Sequence, residues 1–305
     1  MGRSHELNKA RKEKKDEFYT SYDDIEKEIS YYGSYFQNKI VYCNCDNRDS
    51  MFLKFFLNNY NKLELRGLIA TGYRENSNGD YFFKDKYITL FGRTDNEGSY
   101  SSEDNTRLLE LCDVVVTNPP FSKFRAYLKY LTDRNKDFLL LGNINSLTNK
   151  DIFDLIRSNR LWLGASIHSG DREFRVPDDY PLEAAGVRVE NDIKYIRVKG
   201  VRWITNIRHS YIPTLNLSKN LNTAQWQYYD NYDGINVNKV SEIPSDYFGK
   251  IGVPITYLDK HNSNMFEILG LDVQQEDNPR PNHRLTINGQ ETYARIIIRR
   301  KDNVH

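Results

Sequence analysis

The stretch DVVVTNPPFSKF, from Asp113 to Phe124, decides how the rest of the chain is interpreted. Three consecutive valines predict a strand of a parallel sheet, because such strands are buried on both faces. The strand pattern stops at Asn118, Pro119, Pro120 and Phe121. Each proline fixes its own φ and lacks an N–H, and the residue before a proline is held in an extended conformation. These residues therefore predict a stiff corner at the carboxyl end of a strand, where open α/β sheets bind ligands.

A stiff corner of this kind suits chemistry on a planar amine. The side-chain oxygen of Asn118 and the carbonyl of Pro119 can accept hydrogen bonds from one NH2 group, which localises the nitrogen lone pair and stabilises the transition state. Phe121 offers a ring on which an extruded base can stack, worth about 1–3 kcal/mol. A proline turn that merely ends a strand is the structural alternative. The corner also suits other planar amines and amides, so it indicates the chemistry better than the substrate.

Helix and strand patterns alternate on both sides of this corner. Strands are predicted at residues 39–45, 67–73, 87–91, 113–117 and 137–143. Helices are predicted at residues 23–36, 50–60, 103–112, 121–133 and 148–158. The alternation indicates an α/β fold with a doubly wound, mostly parallel, Rossmann-like sheet over residues 20–167.

The pattern loosens beyond Gly170. A loop is expected at residues 171–186, strands are expected at 201–207 and 251–258, and the stretch 271–292 is polar with turn signals. The predicted domains are a basic N-terminal arm at residues 1–17, a core at 18–170, and a region at 171–305 that completes the sheet and adds a smaller target-recognition part.

Composition excludes several classes of protein. The net charge is only +1, so local basic patches would have to meet any nucleic acid. No apolar run reaches the roughly 18 residues that a membrane span needs, and the polar N-terminus lacks the apolar segment of a secretory signal. The three cysteines, Cys43, Cys45 and Cys112, have no C-x-x-C spacing. A cytoplasmic protein without a metal site or membrane contact is therefore expected.

The chain resembles the EcoRI-type family of adenine-specific (N6) DNA methyltransferases. Segments that carry the resemblance occur in one order over residues 9–260: KKDEFYTSYDDIEKE, IVYCNCD, LIATGY, DVVVTNPPFSKFRAYL, NINSLTNKDIF, LWLG and YDNYDGINVNKVSEIPSDYFGKIGVPIT. The resemblance implies S-adenosylmethionine as methyl donor and duplex DNA as substrate. It also implies that Asn118, Pro119, Pro120 and Phe121 hold a flipped-out adenine.

The resemblance further implies a set of donor-binding residues. They are Phe18, Tyr19, Thr20, Asn44, Cys45, Asp46, Thr71, Tyr73, Ser99 and Tyr100. The loop after the first strand lacks the glycine-rich turn of most donor-binding folds, and by its spacing alone it looks like a plain strand end. Related sequences usually read Gly-Asp-Phe-Arg-Ser where this chain has Gly98 to Ser102, so Ser99 replaces the acid expected to bind the donor's adenine amine. Either Asp95 or Glu97 substitutes for that acid, or donor affinity is weakened.

Eight residues are candidates for DNA contact. They are Lys14, Lys15, Lys123, Arg125, Asn145, Ser146, Arg172 and Arg175. The lysines and Arg125 are explained about equally well by solvated helix faces. Asn145 and Ser146 either border the adenine pocket or cap the next helix. Arg172 and Arg175, with Arg188 nearby, are candidates for reading guanine, although the sequence assigns no recognition site.

Several alternatives stay open at this point. The substrate could be RNA or a protein glutamine instead of DNA, and Ser99 also fits a DNA-binding relative with weak catalysis. The protein could be the partner of a restriction endonuclease or an orphan modifier. Monomeric action is expected, because one flipped base needs one site. The polar segment NYDGINVNKVSEIP, residues 231–244, matches the family closely, but its role is not evident from the sequence.

Overall fold

The computed structural model describes residues 20–168, 170–176, 178, 186–217, 226–278 and 283–301. These residues form two compact units. The first unit holds the described residues up to Asn143 together with Trp162–Ser210, and the second holds Ile144–Leu161 and the described residues from Tyr211 onward. The domain boundary expected near residue 170 was drawn between a core and a target-recognition region, and it does not coincide with the division into compact units. That functional division stays a prediction.

The elements of the first unit follow the predicted alternation. Its helices are α1 (Tyr22–Ile29), α2 (Met51–Asn58), α3 (Glu103–Leu111) and α4 (Phe124–Thr132). Its strands are β1 (Ile40–Cys43), β2 (Gly67–Gly72), β3 (Asp80–Lys84), β4 (Thr89–Arg93), β5 (Val114–Thr117), β6 (Asp137–Asn143), β7 (Trp162–Leu163), β8 (Asp171–Arg175), β9 (Val187–Glu190), β10 (Ile193–Lys199) and β11 (Val201–Thr205).

The central sheet has eight strands in the order β4-β3-β2-β1-β5-β6-β11-β7. Strands β2, β1, β5 and β6 pair in parallel. Strands β3 and β11 pair antiparallel with their neighbours on both sides, so they alone run against the direction shared by the other six. The prediction of an α/β fold with a mostly parallel sheet is confirmed.

Helices cover both faces of this sheet. Val41 and Cys43 of β1 belong to the same buried cluster as Ile25 of α1 and Phe52 of α2. The opposite face meets α4: a Cβ added to Gly142 of β6 would come within 2.4 Å of the Phe124 ring. Because side chains of a strand alternate between faces, the consecutive apolar residues of the central strands supply both layers.

Two features at the margins of this sheet differ from the sequence prediction. The single strand expected at 87–91 is half of an antiparallel hairpin, since Asp80–Lys84 forms β3 and pairs with both β2 and β4. The expected loop at 171–186 is wrong at its start, because β8 pairs with β10 in a three-stranded sheet ordered β8-β10-β9. Strand β8 consists of charged residues apart from Phe174, which is 3% exposed. One apolar residue is too weak a pattern to predict a strand.

The N-terminal helix also departs from expectation, since it ends at Ile29 instead of running to Phe36. Ser21 caps it by accepting a hydrogen bond from the Asp24 N–H at 3.1 Å. A 3-10 segment follows at Ser30–Phe36, and Gly33 interrupts it with a φ of 55°. Glycine adopts a positive φ at little cost. The helical spacing of apolar residues therefore continues to Phe36, although the backbone hydrogen bonds change from the α to the 3-10 pattern.

A buried carboxylate anchors α1 to the segment after β7. Glu28 is fully buried, and it accepts hydrogen bonds from Tyr32 Oη at 2.8 Å, Ala165 N at 2.8 Å and Ser166 N at 2.7 Å. Glu28→Ala leaves these buried donors unsatisfied, so we expect the free energy of unfolding to fall by about 3 kcal/mol. Urea denaturation measures the change. The control is Glu26→Ala, an exposed acid on the same helix that should change stability by less than about 0.5 kcal/mol. Equal effects of the two substitutions would contradict this role of Glu28.

The second unit has its own sheet. Its elements are α5 (Lys150–Arg157), β12 (Gln227–Tyr228), β13 (Ile235–Asn236), β14 (Lys250–Val253), β15 (Phe266–Leu271), β16 (Thr286–Ile287), β17 (Gln290–Glu291) and β18 (Ile296–Arg300). Five strands are ordered β12-β13-β14-β18-β15, and β16 and β17 form a hairpin. The strand expected at 251–258 ends at Val253, because Pro254 lacks an N–H for the ladder and a 3-10 segment begins at Ile255.

The polar segment 231–244 has a structural role in this unit. Asn231 Oδ1 accepts from the Thr286 N–H at 2.9 Å, next to Asp230, whose carboxylate accepts from the backbone of the β16–β17 turn. Asn236 and Asn238 accept hydrogen bonds of 2.9 and 2.7 Å from the buried guanidinium of Arg295. These amides satisfy a buried charge, which explains why an irregular, polar segment lies inside a folded unit.

None of the described helices is long and apolar enough to cross a membrane. Within the described residues, no cluster of three or more His, Cys, Asp or Glu side chains could hold a metal ion.

Candidate active site

The stiff corner lies at the carboxyl end of β5, between β1 and β6. A pocket opens there, with about 800 Å³ of empty space when the open solvent at its mouth is included. It is lined by Asn44, Cys45, Asp46, Asn47, Ser50, Gly72, Tyr73, Gly98, Ser99, Tyr100, Asn118, Pro120 and Lys123. The pocket therefore collects residues from the loops that follow β1, β2, β4 and β5.

The four corner residues differ in their exposure to this pocket. Asn118 and Pro120 line it, whereas Pro119 is buried. The Phe121 ring is half-buried and packs against the apolar cluster that includes α1 and α2. Asn118 Nδ2 donates to Thr20 Oγ1 at 3.2 Å, and Thr20 is 5% exposed. Thr20 thus holds the amide of Asn118 from a position 98 residues earlier in the chain.

Asp46 joins the corner to the loop after β1. Thr117 Oγ1 donates to Asp46 Oδ2 at 2.5 Å, and Ser50 Oγ donates to Asp46 Oδ1 at 2.5 Å. The Asp46 N–H donates to the Thr71 carbonyl at 2.9 Å. A carboxylate fixed by two hydroxyl groups and by its own backbone keeps a negative charge at one place in the pocket wall.

The sequence lacks a glycine-rich turn, but three glycines from separate segments allow close backbone packing beside the pocket. A Cβ on Gly72 would meet Asn47 Cα at 2.8 Å, and a Cβ on Gly79 would meet the Gly72 carbonyl oxygen at 2.5 Å. Gly98 has a φ of +77°, and a Cβ there would meet the same oxygen at 2.6 Å. Three separate segments therefore pack backbone against backbone beside the pocket. Close backbone approach to a ligand is a common reason for such glycines.

A buried asparagine fixes the loop that contains Ser99 by hydrogen bonds to its backbone. Asn105, fully buried on α3, donates through Nδ2 to the carbonyls of Gly98 at 3.0 Å and Ser99 at 2.8 Å. Asp95 and Glu97 are exposed, and neither is among the described residues that line the pocket. The Glu97 carboxylate accepts from Tyr73 Oη and from the Asn76 N–H instead. These positions give no support to an acid that substitutes for Ser99.

Most of the predicted donor-binding residues meet at this pocket. The lining residues among them are Asn44, Cys45, Asp46, Tyr73, Ser99 and Tyr100. Thr71 lies buried behind Asn44, with its hydroxyl 3.5 Å from Asn44 Oδ1, and Thr20 contacts Asn118. Phe18 and Tyr19 lie outside the described residues. The assignment of donor binding to these residues stays a prediction.

The predicted DNA contacts are more scattered. Lys123 lines the pocket, with Nζ 5.8 Å from the centre of the Tyr73 ring, and Arg125 is exposed on α4. Arg172 and Arg175 lie on β8, half-buried and exposed respectively. Lys14 and Lys15, with the basic arm, lie outside the described residues.

Arg188, on β9, is engaged by acids of its own sheet. Its guanidinium contacts the carboxylates of Glu173 and Glu190 at 2.6 Å, and these hydrogen bonds raise its pKa further above the usual range. Opening these ion pairs would be necessary before Arg188 could read a base.

Asn145 and Ser146 belong to the second unit, in a 3-10 segment at Ile144–Thr148. They do not cap α5. The capping residue is Asn149, whose side chain accepts from the Asp151 N–H at 3.1 Å. The capping alternative for Asn145 and Ser146 is therefore wrong.

Sequence reasoning missed four lining residues: Asn47, Ser50, Gly72 and Gly98. Ser50 had a recognisable signal, because it caps α2 and so stands where a loop meets a helix. Gly72 and Gly98 had only their residue type, and the contacts that require glycine there join segments far apart in sequence.

Comparison with known proteins identifies the family. The family model described as adenine-specific methyltransferase EcoRI matches residues 6–301. The chain belongs to this family. It is 41% identical to the Type II methyltransferase M.EcoRI of Escherichia coli, over 97% of this chain and 96% of that protein.

Two further relatives come from mycoplasmas. The chain is 34% identical to Type II methyltransferase M.MgeORF184P of Mycoplasma genitalium, over 97% of this chain and 99% of that protein. It is 32% identical to Type II methyltransferase M.MpnI of Mycoplasma pneumoniae, over 98% and 99% respectively. No solved structure gave a match.

Proposed function

We propose that this member of the family is a site-specific DNA methyltransferase that uses S-adenosylmethionine to methylate N6 of an adenine flipped out of duplex DNA. One observation carries the proposal: Asn118 and Pro120 of the stiff corner line the same pocket as Asn44, Asp46 and Ser99. The proposed amine acceptor and the proposed methyl-donor site would thereby share one cleft. Family membership supports the same reaction.

The pocket fits a polar nucleoside ligand. Asn44 is 1% exposed, and within the described residues its Nδ2 has no hydrogen-bond partner, as expected for a donor that meets a ligand. Gly72 and Gly98 bring backbone to the pocket surface, and a side chain at either position would collide with the neighbouring backbone that shapes the pocket. Asn44, Cys45, Asp46, Tyr73, Ser99 and Tyr100 would hold S-adenosylmethionine, which supplies an electrophilic sulfonium methyl group when bound. The largely buried Asp46 carboxylate attracts that positive charge.

Asn118 and Pro119 would position the adenine amine. The hydrogen bond from Asn118 Nδ2 to Thr20 assigns the amide oxygen to accept from N6, together with the Pro119 carbonyl. Fixed acceptors need no reorganisation while charge develops on the nitrogen, which is why they stabilise the transition state. Phe121 stands next to these acceptors in the chain, and we propose that its exposed face stacks on the base.

We further propose how the protein meets DNA. Lys123 and Arg125 contact phosphates near the flipped base, Arg172 and Arg175 of the three-stranded sheet reach base edges, and Asn145 and Ser146 of the second unit add DNA contacts. The basic arm with Lys14 and Lys15 adds phosphate contacts. We also propose that the protein acts as a monomer in the cytoplasm. It would serve either as the partner of a cognate restriction endonuclease or as an orphan modifier.

Methyl transfer from radiolabelled S-adenosylmethionine tests the substrate class. Duplex DNA, RNA and a protein extract are assayed side by side, and we expect label in DNA alone, recovered as N6-methyladenine after digestion to nucleosides. Label in RNA or in a glutamine residue would replace DNA with the corresponding substrate. Sequence-specific DNA binding without any transfer would instead identify a non-catalytic relative.

Alkylation of Cys45 tests donor binding without turnover. Cys43 and Cys112 are buried, and burial raises the pKa of both thiols, whereas Cys45 is half-buried and lines the pocket. We expect N-ethylmaleimide to modify Cys45 first. S-adenosylhomocysteine at ten times its Kd should slow this modification about tenfold, because it leaves about a tenth of the pockets open.

Mass spectrometry of tryptic peptides follows the modification, with Cys45→Ser as the control that removes the fast phase. Equal rates with and without S-adenosylhomocysteine would contradict donor binding at this pocket.

A further inference from the structure

Three buried polar side chains form a path from the sheet to the pocket wall. Tyr42 of β1 and Thr71 of β2 are fully buried, and Asn44 is 1% exposed. The Tyr42 hydroxyl lies 2.8 Å from Thr71 Oγ1, which lies 3.5 Å from Asn44 Oδ1. Asn44 itself lines the pocket. We refer to Tyr42, Thr71 and Asn44 as the relay.

The chemistry of the three groups fixes the direction of the relay. Asn44 Oδ1 carries no hydrogen, so the Thr71 hydroxyl donates its single proton to that oxygen. Thr71 must then accept from Tyr42, which makes the phenol the donor of the other hydrogen bond. Burial raises the pKa of Tyr42 well above its usual value, so the phenol keeps the proton that it donates.

The relay determines which end of the Asn44 amide meets a ligand. Because Thr71 holds Oδ1 from behind, Nδ2 is directed away from the sheet. Within the part of the chain that the structure describes, this buried nitrogen has no hydrogen-bond partner. Buried donors are almost always satisfied, and leaving one unsatisfied is costly. The pocket is therefore built for a ligand that presents a hydrogen-bond acceptor at this point.

We propose that Tyr42 and Thr71 are positioning residues that aim Asn44 Nδ2 at the carboxylate of the donor's amino-acid end. This inference rests on the proposed function, because it takes an S-adenosyl compound as the ligand. Lys123 is the basic side chain among the described lining residues, and a carboxylate accepts from both an ammonium and an amide. In this inference Lys123 faces the donor, and the phosphate contact proposed above falls to Arg125. Asp46 would take the positively charged groups of the same ligand.

Calorimetric titration with two ligands tests the inference. S-adenosylhomocysteine has the amino-acid end, and 5′-methylthioadenosine has a similar nucleoside without it. Asn44→Asp keeps the side-chain shape but replaces the donor with an anion. We expect it to raise the Kd for S-adenosylhomocysteine about 30-fold or more, and to change the Kd for methylthioadenosine by less than about twofold.

Variants of Thr71 separate positioning from a structural role. Thr71→Val leaves Asn44 Oδ1 without its donor, so the Kd for S-adenosylhomocysteine should rise about tenfold. Thr71→Ser keeps the hydroxyl and should restore affinity to within about twofold of the original protein. Tyr42→Phe should act in the same direction as Thr71→Val, with a smaller effect, because the Thr71 hydroxyl remains. Thermal melts verify folding, and Tyr42→Phe tests the positioning should Thr71→Val fail to fold: an unchanged Kd in that variant would contradict it.

Several outcomes would overturn the inference. An unchanged or tighter Kd for S-adenosylhomocysteine in Asn44→Asp means that the amide presents oxygen to the ligand. Equal losses for both ligands mean that Asn44 contacts the nucleoside. Absence of S-adenosylhomocysteine binding in the original protein removes the donor assignment itself, so this result is distinguishable from a failure of the relay alone.

Discussion

Asn118→Ala is expected to lower the turnover number for DNA methylation by about 10²- to 10³-fold, the usual effect of removing one preorganised transition-state hydrogen bond. The side-chain oxygen would be lost from the corner, while Pro119 and Pro120 keep the backbone in place. Thr20 would lose its partner but stays on the buried N-terminal side of α1. Affinity for DNA should change by less than about threefold, because phosphate contacts supply most of that energy.

Single-turnover methyl transfer and DNA binding by fluorescence anisotropy measure the two effects separately. Ser122→Ala is the matched control, since it removes a small polar group from an exposed position four residues further along. That variant should keep its turnover within about twofold. Full turnover of Asn118→Ala would mean that another group accepts from the adenine amine, and the assignment of the corner would be wrong.

Gly72→Ala is expected to lower kcat/KM by about 100-fold, because a displacement of about 1 Å in a reactive site costs that much. The added Cβ would lie 2.8 Å from both Cα and Cβ of Asn47 and 3.0 Å from its nitrogen. Backbone cannot rotate away as a flexible side-chain end can, so the loop Asn44–Asn47 must shift. That loop lines the pocket, which means that donor affinity falls together with turnover.

Gly92→Ala on β4 is the control for the loss of a glycine. Its added Cβ would meet Tyr81 Cδ1 at 3.7 Å, an ordinary van der Waals distance. Donor affinity by calorimetry and initial rates of methylation should both remain within about twofold. Comparable losses in the two variants would show that the effect of Gly72→Ala is general destabilisation and not displacement of the Asn44–Asn47 loop.

The corner and the central sheet were predictable because their signals are local. Val114 to Val116 form a strand buried on both faces, and the two prolines that follow impose their geometry within a few residues. The helices α2 to α5 follow from apolar spacing, and Ser50 and Asn149 cap two of them as their residue types allow.

The interior of the site depends on contacts that no local pattern reports. Thr20 meets Asn118 from 98 residues away, and Thr117 meets Asp46 across 71 residues. The pattern of charged residues at Asp171–Arg175 predicted a loop, since a short strand with one buried ring gives almost no alternation signal. Pairing with β10 overrides that weak local preference.

Arginine positions illustrate the same difficulty for specificity. Arg188 lies near Arg172 and Arg175 and was a candidate for base readout, yet its guanidinium is engaged by Glu173 and Glu190. Residue type alone does not distinguish an arginine that reads guanine from one that closes an ion-pair network on its own sheet. Hence the sequence gives no recognition site.

Long-read sequencing of genomic DNA from cells that express the protein tests the central claim most directly. We predict N6-methyladenine at one short sequence throughout the genome, and its absence from cells that express Asn118→Ala at the same level. Genomic DNA without N6-methyladenine in cells that contain folded protein, or equal methylation by Asn118→Ala, would contradict the account.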